Sequence, residues 1–218
     1  MTNTDKYIHS RLQPFEVNKN VTDIQDFFLN NGFSHFPITQ DGIYIGSVAS
    51  DDVETFDSDK KIDDYRYTLE GFFVRDSTNW LDVLEKFAQN QTDVMPVLNQ
   101  ENVYLGYYKL SDIVQIFSET SFLREHGGII VVEKNITQYS ASEIAQIVES
   151  NGHKLLGMFV SEMDDKVEVY LKVNTENLNE ILQSFRRYEY EIISEHSEDI
   201  YMQSLKERLD YMDKYLNI

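Results

Sequence analysis

The sequence predicts a mixed α+β chain built from a tandem pair of β-α-β-β-α copies, a third unit ordered β-α-β-β-α-β, and a terminal amphipathic helix. Three observations predict it. A pattern recurs at an offset of 59–60 residues: Phe15 aligns with Val74, Phe28 with Phe87, Pro37 with Pro96, Gly46 with Gly106 and Asp52 with Asp112. From Gly127 onward the apolar spacing changes and the repeat stops. The composition is that of a globular protein: 218 residues, 41% hydrophobic and 13% aromatic, with nine Gly and three Pro.

In the first copy, Thr22-x-x-Gln25 reads as a capping box, and Ile24, Phe27 and Phe28 fall at i, i+3, i+4, so a helix should run to Asn31-Gly32. Phe33–Thr39 and Ile43–Val48 flank the turn Gln40-Asp41-Gly42 as a strand pair. A short helix beginning near Asp51 should bury Val53 and Phe56. The acidic run Asp57, Asp59, Asp63 and Asp64 lacks the Gly and closing Glu of a calcium loop and reads as a linker. The second copy repeats the order with Leu81, Val83, Leu84, Phe87 and Ala88 ahead of Met95-Pro96-Val97. After Gly127, Ile129–Val132 is a strand, and Ser140-x-x-Glu143 opens a helix carrying Ile144, Ile147 and Val148. Leu155–Ser161 and Val167–Val173 bracket a hairpin junction. Leu178, Ile181, Leu182 and Phe185 share a helix face, and Tyr188–Ile193 makes a last strand. That order is the ferredoxin-like split unit. Ser197–Ile218 carries Tyr201, Leu205, Leu209, Met212 and Leu216 on one stripe, which needs packing on this chain or on a second copy. The boundaries expected are 1–70 and 71–125 for the copies, 126–195 for the third unit and 196–218 for the helix.

An apolar-Pro-apolar element (Phe36-Pro37-Ile38, Met95-Pro96-Val97) followed by Gly-x-apolar-x-x-x-Asp-apolar (Gly46 to Val53, Gly106 to Ile113) resembles a tandem cystathionine-β-synthase (CBS) domain pair over residues 8–122. The resemblance implies a pseudo-twofold module with two clefts that take adenosine-containing ligands such as AMP, ATP or S-adenosylmethionine. It further implies that Asp52 and Asp112 accept the ribose hydroxyls, a role that suits a carboxylate. The family's phosphate-donating Thr or Ser, three places earlier, is Ala49 in one copy and Lys109 in the other. Lys109 offers a point charge instead, with Ser50 and Ser111 as neighbouring hydroxyls. His35 and Val94, two places before each proline, lie by analogy near the cleft mouths, and Pro37 and Pro96 are counted with them as candidate ligand-binding residues. The competing reading of both Asp residues is helix N-terminal, where they satisfy backbone N–H groups without any ligand. The third unit, by position and order, resembles an ACT-type regulatory domain, as in acetoin-utilisation-type CBS proteins. Its turn Glu133–Tyr139 has no Gly for close approach to an amino acid, which favours packing or dimerisation.

Nineteen basic against 38 acidic residues give a net charge of −19, spread along the chain, so nucleic acid is not an expected partner. The start, MTNTDKYIHSRLQPF, has no apolar core flanked by basic residues, and no apolar run approaches the roughly 20 residues that span a bilayer. A cytoplasmic protein without a membrane partner is expected. Zero Cys removes thiol chemistry, the five His are scattered, and no nucleotide-loop, hydrolase or zinc-protease motif occurs. The expected function is therefore non-enzymatic: a regulatory sensor of an adenosine-type ligand, with no resident cofactor implied, acting as a homodimer on an unknown protein partner. The alternative is a ligand-free oligomeric scaffold that keeps the fold for packing.

Overall fold

The computed structural model describes residues 5–194, and the expected terminal helix with its Tyr201–Leu216 stripe lies outside them. The chain divides into two compact units, Met1–Phe117 and Ser118–Ile218.

The first unit holds both copies. In the first, β1 (Phe15–Glu16), α1 (Val21–Asn31), β2 (His35–Gln40), β3 (Ile43–Ala49) and α2 (Ser50–Thr55) follow one another, and the sheet runs β1-β2-β3. In the second, β4 (Val74–Arg75), α3 (Trp80–Asn90), β5 (Val94–Leu98), β6 (Tyr104–Lys109) and α4 (Leu110–Ser118) form the sheet β4-β5-β6. The register repeats as well: Phe15 faces Ile38 where Val74 faces Val97, and Gly46 faces Ile38 where Gly106 faces Val97. Each copy buries its helix stripe on its own sheet, Ile24 and Phe28 in one and Val83 and Phe87 in the other. The cores also exchange members, since Val94 and Tyr107 of the second copy pack with the first.

Proline inside a middle strand removes a ladder donor and normally argues against that strand. Here each proline faces a residue whose backbone is turned elsewhere. Pro37 faces Ser47, whose N–H and C=O both bond Glu70, each at 2.8 Å. Pro96 faces Tyr107, whose C=O accepts from the His9 N–H at 2.8 Å and whose N–H donates to the His9 carbonyl at 3.0 Å. The chain leading into each copy thus lies along the last strand of the other copy. That approach explains the motif glycines. A Cβ on Gly106 (φ +154) would stand 2.5 Å from Ile8 Cγ2 and 2.6 Å from the His9 carbonyl oxygen, and one on Gly46 (φ +148) 2.8 Å from Leu69 Cβ. Proline, glycine and the exchanged segment form one structural device.

Two local expectations are corrected. Thr22 and Gln25 make no capping box: Thr22 Oγ1 donates to the Ser58 carbonyl, and Gln25 Nε2 to the carbonyls of Val53 and Phe56. These bonds tie α1 to the end of α2. The acidic run is no loose linker, because a 3-10 stretch, Ile62–Thr68, buries Ile62 in the first core and stacks Tyr65 on Phe56 at 3.9 Å.

In the second unit, a single-turn helix α5 (Ser121–Arg124) precedes β7 (Gly128–Asn135), α6 (Ala141–Ser150), β8 (Leu155–Met163), β9 (Lys166–Val173), α7 (Asn179–Arg187) and β10 (Glu191–Ile192). The strands are antiparallel in the order β10-β7-β9-β8, the order of a split β-α-β unit with each crossover spanning one strand. Alternation along β9 sends Val167, Val169, Leu171 and Val173 under α6 and α7. Ser140 caps α6 by accepting from the Glu143 N–H at 3.4 Å.

Candidate functional site

Six aromatic and charged side chains from both copies meet at the junction of β6 and α4. Asp112 lies in the first turn of α4, where its Oδ2 accepts from the Lys109 backbone N–H at 3.3 Å. The same oxygen is 2.7 Å from His9 Nε2, and the two side chains are 38% and 18% exposed for His9 and Asp112, respectively. The His9 ring stacks on Tyr107 at 5.4 Å between centroids. Tyr107 in turn meets Phe33 edge-on at 6.2 Å and Phe36 at 5.7 Å. The Lys109 ammonium lies over Phe33, 5.4 Å from its centroid, and among the described residues it has no carboxylate partner. Burial, and after it the Asp112 carboxylate, push the Tyr107 phenol above its ordinary value. Ser111, one residue before Asp112, is exposed.

The corresponding region of the first copy is built differently. Ala49 is the N-cap of α2, and Ser50 opens the helix, with its N–H on the Ser34 carbonyl at 2.8 Å. Asp52 is partly buried, and no hydrogen bond to its carboxylate is present among the described residues. His35 stands apart from it, with Nδ1 3.0 Å from Ser34 Oγ and Nε2 3.3 Å from Glu70 Oε1, its ring edge-on to Phe72. Pro37 and Pro96 are buried in β2 and β5. Of the residues singled out from the sequence, the structure brings Lys109 and Asp112 together and sets Ser50, Asp52 and His35 around the other copy's helix start. His9, Tyr107, Phe33 and Glu70 were missed. His9 and Glu70 had a faint signal, since both lead into a copy and stand about one repeat apart.

Between the copies, Ser34 and Asp93, equivalent by the repeat, bond each other: the Ser34 N–H and Oγ donate to Asp93 Oδ1 at 2.9 and 2.7 Å, and the Asp93 N–H donates to Ser34 Oγ at 3.1 Å. Beside them opens a cavity of about 660 Å³ lined by Phe33, Ser50, Asp51, Leu84, Phe87 and Asp93 among others. Among the described residues, no three His, Asp or Glu side chains gather as a metal site, and no helix is long and apolar enough to cross a membrane.

No protein-family model and no curated protein matches the sequence. Solved structures that match about half of this chain include CBS domain pairs. A CBS domain pair/ACT domain protein from Thermotoga maritima is 19% identical, with 54% of this chain and 98% of that one covered at a TM-score of 0.49. The CBS domains of a transcriptional regulator from Streptococcus pneumoniae are 20% identical over 53% of this chain and 98% of that one, at 0.47. CBSX2 in complex with AMP is 16% identical over 53% and 95%, at 0.44.

Proposed function

We propose that this chain is a non-enzymatic regulatory protein whose second-copy cleft takes an adenosine-containing ligand, AMP or ATP in the first place and S-adenosylmethionine as a further candidate. The observation that carries the reading is the grouping of Lys109, Asp112, Phe33 and Tyr107. It combines a cation without a carboxylate partner among the described residues, a carboxylate at a helix start and aromatic rings. Those are the groups that a phosphate, a ribose diol and a base respectively require. The first copy has Ala49, Asp52 and Glu70 at its helix start and offers no equivalent cation, so one site per chain is proposed. The second unit, read as an ACT-type domain, and the terminal helix would serve dimerisation and presentation to a protein partner in the cytoplasm.

A thermal-shift panel of AMP, ADP, ATP and S-adenosylmethionine at millimolar concentration tests it, because a ligand that prefers the folded state raises its stability by mass action. A shift that persists in Asp52→Ala and disappears in Asp112→Ala and Lys109→Ala is the expected result. No shift with any of the four ligands overturns the reading and leaves the second one, a ligand-free scaffold. That alternative has its own support: Asp112 already holds His9, and Ala49 can donate nothing.

A further inference from the structure

Asp112 is not a vacant acceptor. Its Oδ2 takes the Lys109 N–H at 3.3 Å and stands 2.7 Å from His9 Nε2, which is the donor against a carboxylate. A vicinal diol grips a carboxylate through both oxygens, so the imidazole competes for the very atom the diol needs. The backbone of His9 is pinned by its two bonds to Tyr107, at 2.8 and 3.0 Å, whereas its side chain is 38% exposed. Clearing Oδ2 therefore takes a side-chain rotation and leaves the exchanged segment in place. The first copy has no such arrangement. Glu70 holds the same backbone place against Ser47, but its carboxylate reaches His35 at 3.3 Å and carries no bond to Asp52. The competitor is thus confined to the cleft that also holds Lys109.

We propose that His9 is an intramolecular occupant of the ligand carboxylate, which adenosine-type ligands displace and which sets the concentration at which they bind. The inference rests on the ligand reading above. A site that is free only part of the time binds more weakly by that fraction. Loss of one charge-assisted hydrogen bond corresponds to a roughly ten- to hundredfold gain in affinity.

Calorimetric titration of AMP into the full chain tests this with two variants. His9→Ala removes the competitor, and His9→Phe keeps a ring on Tyr107 without a donor, which guards against simple loss of folding. Both should bind AMP at least about tenfold more tightly than the unaltered chain, and neither should gain in an Asp112→Ala background. Unchanged or weaker binding in the His9 variants, with the unaltered chain still binding, overturns the occupant role alone. No binding by the unaltered chain or by either variant at millimolar AMP removes the ligand reading, and this inference with it.

Discussion

Tyr44 and Tyr104 occupy equivalent places in the two copies, and their backbones reach across symmetrically, the Tyr44 N–H to the Asn102 carbonyl and the Tyr104 N–H to the Gly42 carbonyl. Their hydroxyls fare differently. Tyr44 bonds Ser47 Oγ at 3.0 Å and the Phe72 carbonyl at 2.7 Å, whereas the buried Tyr104 hydroxyl has no hydrogen-bond partner among the described residues. A buried polar atom without a bond costs stability, and a satisfied one contributes about 0.5–1.5 kcal/mol per bond. Tyr44→Phe should therefore lower unfolding stability by about 1–3 kcal/mol, while Tyr104→Phe should be neutral or stabilising, as read from urea denaturation midpoints. The repeat pattern alone does not tell these two tyrosines apart, because the Phe72 carbonyl that Tyr44 reaches lies 28 residues further along the chain. The same limit applied to Asp112: its helix-start position was legible, and its bond to His9, 103 residues earlier, was not.

The exchanged leading segments make the motif glycines the sensitive points of β3 and β6. Gly106→Ala sets a methyl 2.6 Å from the His9 carbonyl oxygen in a positive-φ position and should cost about 2–4 kcal/mol, more than Gly46→Ala, where the nearest backbone oxygen, that of Glu70, stands 3.2 Å away. Thermal unfolding of the two variants checks the ranking, and equal Tm values would contradict it. The elements themselves were largely readable, because helices with apolar residues at i, i+3, i+4 and strands bounded by Gly or Asp turns carry local signals. What misled was chemistry with a distant answer. Thr22 and Gln25 have the spacing of a capping box, yet the end of α2 and the turn after it supply the acceptors for both. The Asp-rich stretch read as a linker; its four Asp side chains are exposed, while the single apolar Ile62 anchors it in the core.

Across the whole chain, the acidity and the buried phenols set opposite ends of the pH range apart. Burial is the main cause that pushes Tyr44 and Tyr104 in the first unit, and Tyr190 in the second, well above the ordinary phenol value of 10.0. Below pH 10.0 both folded and unfolded chains keep these groups neutral, so no stability is lost. Above it the unfolded chain ionises first, and each buried phenol withdraws up to about 1.4 kcal/mol per pH unit. Urea unfolding followed from pH 8 to 11 should show a flat region and then a fall, with a shallower fall in Tyr104→Phe. The β-α-β-β-α-β order of the second unit was legible from local periodicity, and its strand order β10-β7-β9-β8 is one of the few ways a split β-α-β arrangement can close the sheet. The reciprocal seating of the two copies makes each incomplete by itself. A single repeat taken alone would leave both its leader and its last strand without the backbone partners that the other copy supplies here. Covalent linkage in one polypeptide keeps both seats filled and lets the two clefts differ, one gathering Lys109 with His9 from the other copy's leader and the other Ala49 with Glu70.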